Sequence, residues 1–314
     1  MSIRAKIWAL HLAVLLGLWG LQQVLPPYHA NNLARIMVLA VFAMGYNIAF
    51  GYTGLLSLGH ALFFAAGMYG AGLAVWQAEW TALPAIAIGL VAGGVAAGLV
   101  GLLALRTAGV SFMIVTLMFA QTGYLVILYF GAVTGGDEGF VVEAAGRRIF
   151  GADLATDGPR AVASLALFAL ALLGKLALVT SPFGRVMVAM RENEARSTML
   201  GYNPFAVKLT ALVISGLYAG IAGAAYGVMF GYVGANFATV QYSILPMLYV
   251  LLGGLGTVLG PLLGAVLMFY LVDFASGLTS AYLLVVGAAL VLLVLFAPRG
   301  VLGMVRERWL KWLP

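Results

Sequence analysis

The chain has 314 residues, 64% of them hydrophobic and 8% charged, with a formal net charge of +6. A soluble domain carries roughly 25% charged residues, so this composition excludes a soluble globular protein and points to a chain that crosses a membrane many times. There is no cysteine and there are only three histidines, which excludes a disulfide framework, a thiol nucleophile and a convincing metal site.

Ten apolar stretches of the length a bilayer core requires follow one another, at 7–25, 33–50, 55–77, 82–105, 110–130, 161–180, 205–231, 237–253, 258–276 and 280–297. The expectation is a single all-α polytopic domain over 1–314, with about ten transmembrane or re-entrant helices. The N-terminal apolar run is read as the first span, because no small-residue cleavage site accompanies it. The third stretch is rich in small and polar residues and the eighth contains Pro246, so either is a candidate for a broken or re-entrant element.

Charge orients the chain. Ten crossings put both termini on one side, with Arg4, Lys6, Arg106, Arg185, Arg191, Arg196, Lys208, Arg299, Arg306, Arg308 and Lys311. The other side receives only Arg35, Arg147, Arg148 and Arg160, together with Glu79, Asp137, Glu138, Glu143, Asp153 and Asp157. The positive-inside rule makes the first side cytoplasmic. The 131–160 loop is then external, a surface loop with a short interfacial helix, and the tail 298–314 is cytoplasmic. The loop's Gly-rich centre is no nucleotide site, since no strand precedes it and the Lys-Ser/Thr of a phosphate loop is missing.

Two segments share a Gly-Tyr-X-Gly start, Gly51 to Gly54 and Gly231 to Gly234. They fall at opposite ends of their spans, as an inverted repeat would place them. After the first, Thr53, Ser57, His60 and Phe64 recur at helical spacing, which predicts Ser57 and His60 on one helix face. An ionisable residue at membrane depth suggests a function, here a translocation path, with helix packing as the alternative. A Ser–His protease is not supported: the Gly109-Val-Ser-Phe112 match is short and no histidine follows it. Asp273 lies near an outer span end and Lys175 is expected to snorkel toward the inner interface.

The longest polar, helix-patterned segment is 181–204, SPFGRVMVAMRENEARSTMLGYNP. Ser181 and Pro182 form a helix start, Gly201 a stop, and Asn203-Pro204 the next start. Glu192 and Arg196 are spaced to pair across one turn, and Val188, Ala195 and Met199 to share a face. A single helix over 182–200 facing a partner outside the bilayer is expected.

The run from Gly45 to Ala61 (GYNIAFGYTGLLSLGHA) resembles a signature of the branched-chain amino-acid (Liv-type) ABC transporter permeases. So do Ser181 to Arg185, Arg191 to Glu194 with Gly201, and Leu252 to Thr257 with Gly260-Pro261. The resemblance covers nearly the whole chain in the expected order. It implies a non-catalytic inner-membrane subunit paired with a second, homologous permease. Two cytoplasmic ATPases would hydrolyse the ATP, since this chain binds no cofactor itself, and a periplasmic binding protein would deliver branched-chain or other small apolar amino acids. Related permeases also serve urea, amides and aromatic acids, and a stand-alone secondary transporter is the runner-up from another class. The 182–200 helix takes the coupling role, with Arg191, Glu192, Asn193, Glu194, Ala195, Arg196 and Gly201 as ATPase-coupling residues. The match to the broader Glu-Ala-Ala…Gly coupling motif, Glu194-Ala195-Arg196 with Gly201, is one residue out of step.

Overall fold

The computed structural model describes residues 3–297, 299–309 and 312; part of the expected 298–314 tail lies outside the described residues. The first half of the chain forms α1 (Ile3–Val24), α2 (Pro27–Asn47), α3 (His60–Trp76), α4 (Ala82–Ala104), α5 (Val110–Tyr129) and the single turn α6 (Gly131–Thr134). Three two-residue strands follow: β1 (Phe140–Val141), β2 (Arg148–Ile149) and β3 (Ala152–Asp153). Next come α7 (Asp157–Thr180), α8 (Pro182–Glu192), α9 (Glu194–Met199), α10 (Pro204–Phe230) and β4 (Tyr232–Val233). The chain then continues through α11 (Val240–Gly253), α12 (Gly260–Leu278), α13 (Tyr282–Phe296) and α14 (Gly300–Arg308). Seven of these helices are long and apolar enough to cross a membrane, namely α1, α2 with its continuation to Tyr52, α4, α5, α7, α10 and α12.

Each of the ten expected spans contains one helix, but the third and eighth are not helical throughout. Helix α2 runs into a π-helical turn at Ile48–Tyr52 and unwinds at Gly54, whose φ of +78° suits glycine. Residues 54–59 stay non-helical and α3 begins only at His60. On the other side, α10 stops at Gly231 in the left-handed conformation, β4 pairs antiparallel with β1, and α11 begins at Val240. Gly51 and Gly231 stand 180 positions apart, and so do the helix starts His60 and Val240. Tyr46, Phe50, Tyr52 and Gly54 recur as Tyr226, Phe230, Tyr232 and Gly234 at the same offset. Packing is reciprocal as well: α2 lies against α11 and α12, and α10 against α3 and α4. The short Gly-Tyr-X-Gly match therefore marks two equivalent breaks that enter the bundle from opposite ends.

Unwinding leaves backbone amides without helical partners, which is costly at membrane depth unless something else satisfies them. Side chains do so. Thr116 Oγ1 accepts from Leu58 N at 3.1 Å, Ser57 Oγ from Gly59 N at 3.1 Å and Ser243 Oγ from Ala61 N at 2.9 Å.

Small residues allow the central helices to approach. A Cβ on Gly220 would lie 2.6 Å from Gly89 O and 2.8 Å from Gly93 Cα, so α10 and α4 touch backbone to backbone. Helix α2 is buried along nearly its whole length and forms the centre of the core.

Contacts between loops fall into two sets. At the basic end the chain brings together residues 51–54, 191–208, 254–257 and 299–306. At the opposite end Tyr28 donates to Asp273 at 2.8 Å, Arg160 to Asn31 at 2.9 Å, and Val142 N to Gly231 O at 2.9 Å. This alternation is the one ten successive crossings require. The 131–160 loop holds the single turn α6 and three minimal strands, and Phe140 stacks on Trp76 at 4.5 Å.

Candidate functional site at the basic end

The 181–204 segment starts and stops where its sequence indicates. Ser181 Oγ accepts from Gly184 N at 3.2 Å, Gly201 closes the turn with φ +89°, and Asn203 caps α10 by accepting from Ala206 N at 3.2 Å. The interior differs from expectation. The expected helix over 182–200 is two helices, because Asn193 adopts an extended conformation (φ −157°, ψ 99°) and its side chain accepts from Arg196 N at 2.9 Å. Asparagine competes with the helical backbone in this way and starts a second helix instead of continuing the first. The break separates Glu192 from Arg196, and among the described residues their expected ion pair does not form. Glu194 instead pairs with Lys208 of α10 at 2.6 Å.

Helix α8 rests on the first broken span. Met187 and Met190 are buried against Ile48, Tyr52 and Val207. Arg191 donates through Nη1 to the carbonyl of Gly51, and its stem crosses Gly54, where a Cβ would come within 3.0 Å of Arg191 Cγ. A Cβ at Gly256 would lie 3.2 Å from Arg191 Nη1. The candidate coupling residues thus divide. Arg191 and Glu194 turn toward the bundle, whereas Glu192, Ala195 and Arg196 face away with Met199 (86% exposed) and Leu200 (72% exposed). Asn193 and Gly201 shape the turns between them.

A cavity of about 440 Å³ opens between α5, α8 and the unwound segment after Tyr52, and Thr53, Gly54, Leu56, Arg191, Glu194 and Lys208 border it. Of the expected path residues, Thr53 reaches this space. Ser57, His60 and Phe64 are fully buried. The helical face expected for Ser57 and His60 does not exist, because the helix begins at His60 and Ser57 precedes it. His60 Nε2 lies 2.8 Å from Ser215 Oγ, and Ser215 Oγ donates to Gly45 O at 2.6 Å. A serine has one proton to give, so Nε2 is the donor in the first bond. Tyr46 and Phe63 enclose the His60 ring at 4.6 and 5.2 Å, and Phe64 packs on Phe42 at 4.7 Å.

The loop after α11 is held from three helices. Asn47 donates to Thr257 O at 2.7 Å and accepts from Gly256 N at 3.0 Å. Lys175 donates to Thr257 O at 3.2 Å and Val258 O at 3.3 Å, while Arg306 donates to Gly256 O at 3.3 Å. Lys175 is wholly buried and lies 5.7 Å from the Tyr52 ring centroid, so the expectation that it snorkels to the inner interface is corrected: loop carbonyls and an aromatic face receive its ammonium within the bundle. Sequence reasoning missed Asn47, Ser215 and Arg306 as parts of this arrangement. Asn47 and Ser215 carried the same signal as His60, a polar side chain inside an apolar span.

Among the described residues no group of acidic or histidine side chains could hold a metal. No solved structure matches the chain. Residues 28–295 match the family described as branched-chain amino acid transport system / permease component. The chain is 27% identical to the high-affinity branched-chain amino acid transport system permease protein LivM of Escherichia coli, over 98% of this chain and 77% of that one. Identity to the LivM protein of Salmonella typhimurium is the same, over the same shares. A probable branched-chain amino acid transport permease protein LivM of Methanocaldococcus jannaschii is 38% identical over 28% of this chain and 26% of its own length. With seven helices long and apolar enough to cross a membrane among the described residues, two broken spans and a family match over residues 28–295, the chain belongs to the branched-chain amino acid permease family of ABC transporters.

Proposed function

We propose that this chain is one transmembrane subunit of an ATP-driven importer in a bacterial inner membrane, with both termini and the α8–α9 element in the cytoplasm. A second, homologous permease completes the translocation path, two ATPases dock on α8–α9, and a periplasmic binding protein delivers branched-chain or other small apolar amino acids. ATP acts on the ATPases alone. The observation that carries this reading is the division within α8–α9: Met199, Leu200, Glu192 and Arg196 are free to meet a partner, while Arg191 grips the break at Gly51. A partner that moves α8 therefore moves the first broken span, which supplies the two-state element that coupling needs. Thr53 borders the inner end of the path, and Ser57, His60 and Phe64 form the packed junction behind it.

The test is co-expression with the candidate ATPases, second permease and binding protein, followed by purification through a tag on this chain. Recovery of a complex whose ATP hydrolysis rises with loaded binding protein supports the reading. Recovery of this chain alone, from a host that expresses all the components, contradicts it. A ligand screen of the binding protein decides among branched-chain amino acids, urea, amides and aromatic acids.

A further inference from the structure

A second cavity of about 770 Å³ lies at the basic end, between the end of α8, the 254–257 loop and α14. Arg191, Arg299 and Arg306 line it, with Leu255 and Thr257 on the wall and Glu307 the sole acid. Glu307 is paired with Arg299. Arg191 and Arg306 each donate one side-chain hydrogen bond to a backbone carbonyl, Gly51 O and Gly256 O. A guanidinium has five N–H donors, so each keeps donors for another acceptor. The cavity carries two positive charges in excess of its acid. Just before it in the chain, α13 presents Leu292, Leu295 and Phe296 at 54, 70 and 80% exposure, an apolar surface.

We propose that this cavity binds the phosphate of an acidic phospholipid from the leaflet at the basic end. Phosphate oxygens match the forked donors of arginine, and the adjoining apolar surface of α13 suits acyl chains. A zwitterionic amino acid fits less well, because its ammonium would need a carboxylate and Glu307 is already taken by Arg299. A lipid held here would join α14 to Arg191, and hence brace the grip on Gly51.

The experiment uses the full chain in detergent, titrated with phosphatidylglycerol, phosphatidylcholine or inorganic phosphate. Native mass spectrometry reads lipid retention and a thermal melt reads stability. Preferential retention of phosphatidylglycerol with a raised melting temperature is expected. Arg299→Gln and Arg306→Gln should each reduce that retention about fivefold, whereas Arg308→Gln, an exposed charge outside the cavity wall, should leave it within about twofold. Arg299 is 63% exposed in its side chain, so its substitution leaves the fold intact and keeps the test interpretable if Arg306→Gln fails to fold. Equal retention of both lipids overturns the proposal. So does an equal effect of Arg308→Gln, which would mean diffuse surface charge, or a full stabilisation by inorganic phosphate, which would mean a site for a free anion.

Discussion

The guanidinium of Arg191, the penultimate residue of α8, donates to the carbonyl of Gly51, in the π-helical turn where the first broken span unwinds. Helix α8 and the first broken span are thereby one mechanical unit. Arg191→Gln should leave assembly intact, because the residue is exposed and the bond is a single one to a backbone carbonyl, worth about 1–2 kcal/mol. Uptake per assembled complex should fall at least about tenfold while ATP hydrolysis persists. Unchanged uptake by purified, reconstituted complex would show that the contact is passive.

The Glu194–Lys208 pair locks α9 to α10. The pair is partly exposed, so it contributes only about 0.2–1 kcal/mol of stability. Its geometry matters more. Glu194→Lys sets two ammonium groups together and should displace α9 and weaken ATPase coupling. The exchange Glu194→Lys with Lys208→Glu should restore it. Stimulated hydrolysis measured across this double-mutant cycle checks the prediction, and failure of the exchange to rescue would mean that Glu194 itself touches the ATPase.

How much of this was legible in sequence depends on how local the cause is. The caps at Ser181, Gly201 and Asn203 follow from single residues beside a helix end, and all three stand where expected. Asn193 has the same chemistry, yet its neighbours continue the helical pattern, so nothing in the spacing marks the break. Spacing also failed at Ser57 and His60, since a periodicity argument presumes a helix that the preceding glycines interrupt. Lys175 was misplaced because its partners, Thr257 O and Val258 O, are backbone groups some eighty positions away, which no side-chain pattern announces. The weak Gly-Tyr-X-Gly match held because both copies meet the same demand, ending a long helix before a short one starts inside the bundle.

Ser215 joins His60 to Gly45 O. Ser215→Ala removes both bonds and leaves the buried His60 ring N–H without a partner, while Gly45 O keeps the Ile48 amide, a loss of about 1–3 kcal/mol. Folded yield and melting temperature should drop, while uptake normalised to assembled complex stays near normal. A selective loss of uptake with normal stability would instead place this trio on the translocation path.

Gly220 allows α10 to touch α4. Gly220→Val forces the helices apart and should cost about 3 kcal/mol, near the upper end for overpacking. Recovery of folded protein in detergent is the readout, and normal recovery would contradict the backbone-to-backbone packing.

Orientation is open to direct labelling because the chain has no cysteine of its own. Phe150→Cys and Met199→Cys place thiols at positions 94% and 86% exposed, one at each end of the bundle. In intact spheroplasts a membrane-impermeant maleimide should label position 150 and spare position 199, as the positive-inside rule demands. The reverse pattern would overturn both the orientation and the docking role of α8–α9.

In the importer proposed above, ATP hydrolysed by partner subunits drives transport through this chain. Proteoliposomes holding the full assembly, with loaded binding protein outside and ATP sealed inside, test it most directly. Radiolabelled leucine, or whichever ligand the binding protein carries, should accumulate in a manner that depends on internal ATP and survives collapse of the ion gradients. Accumulation by this chain without ATPases, powered by a proton or sodium gradient, would contradict it.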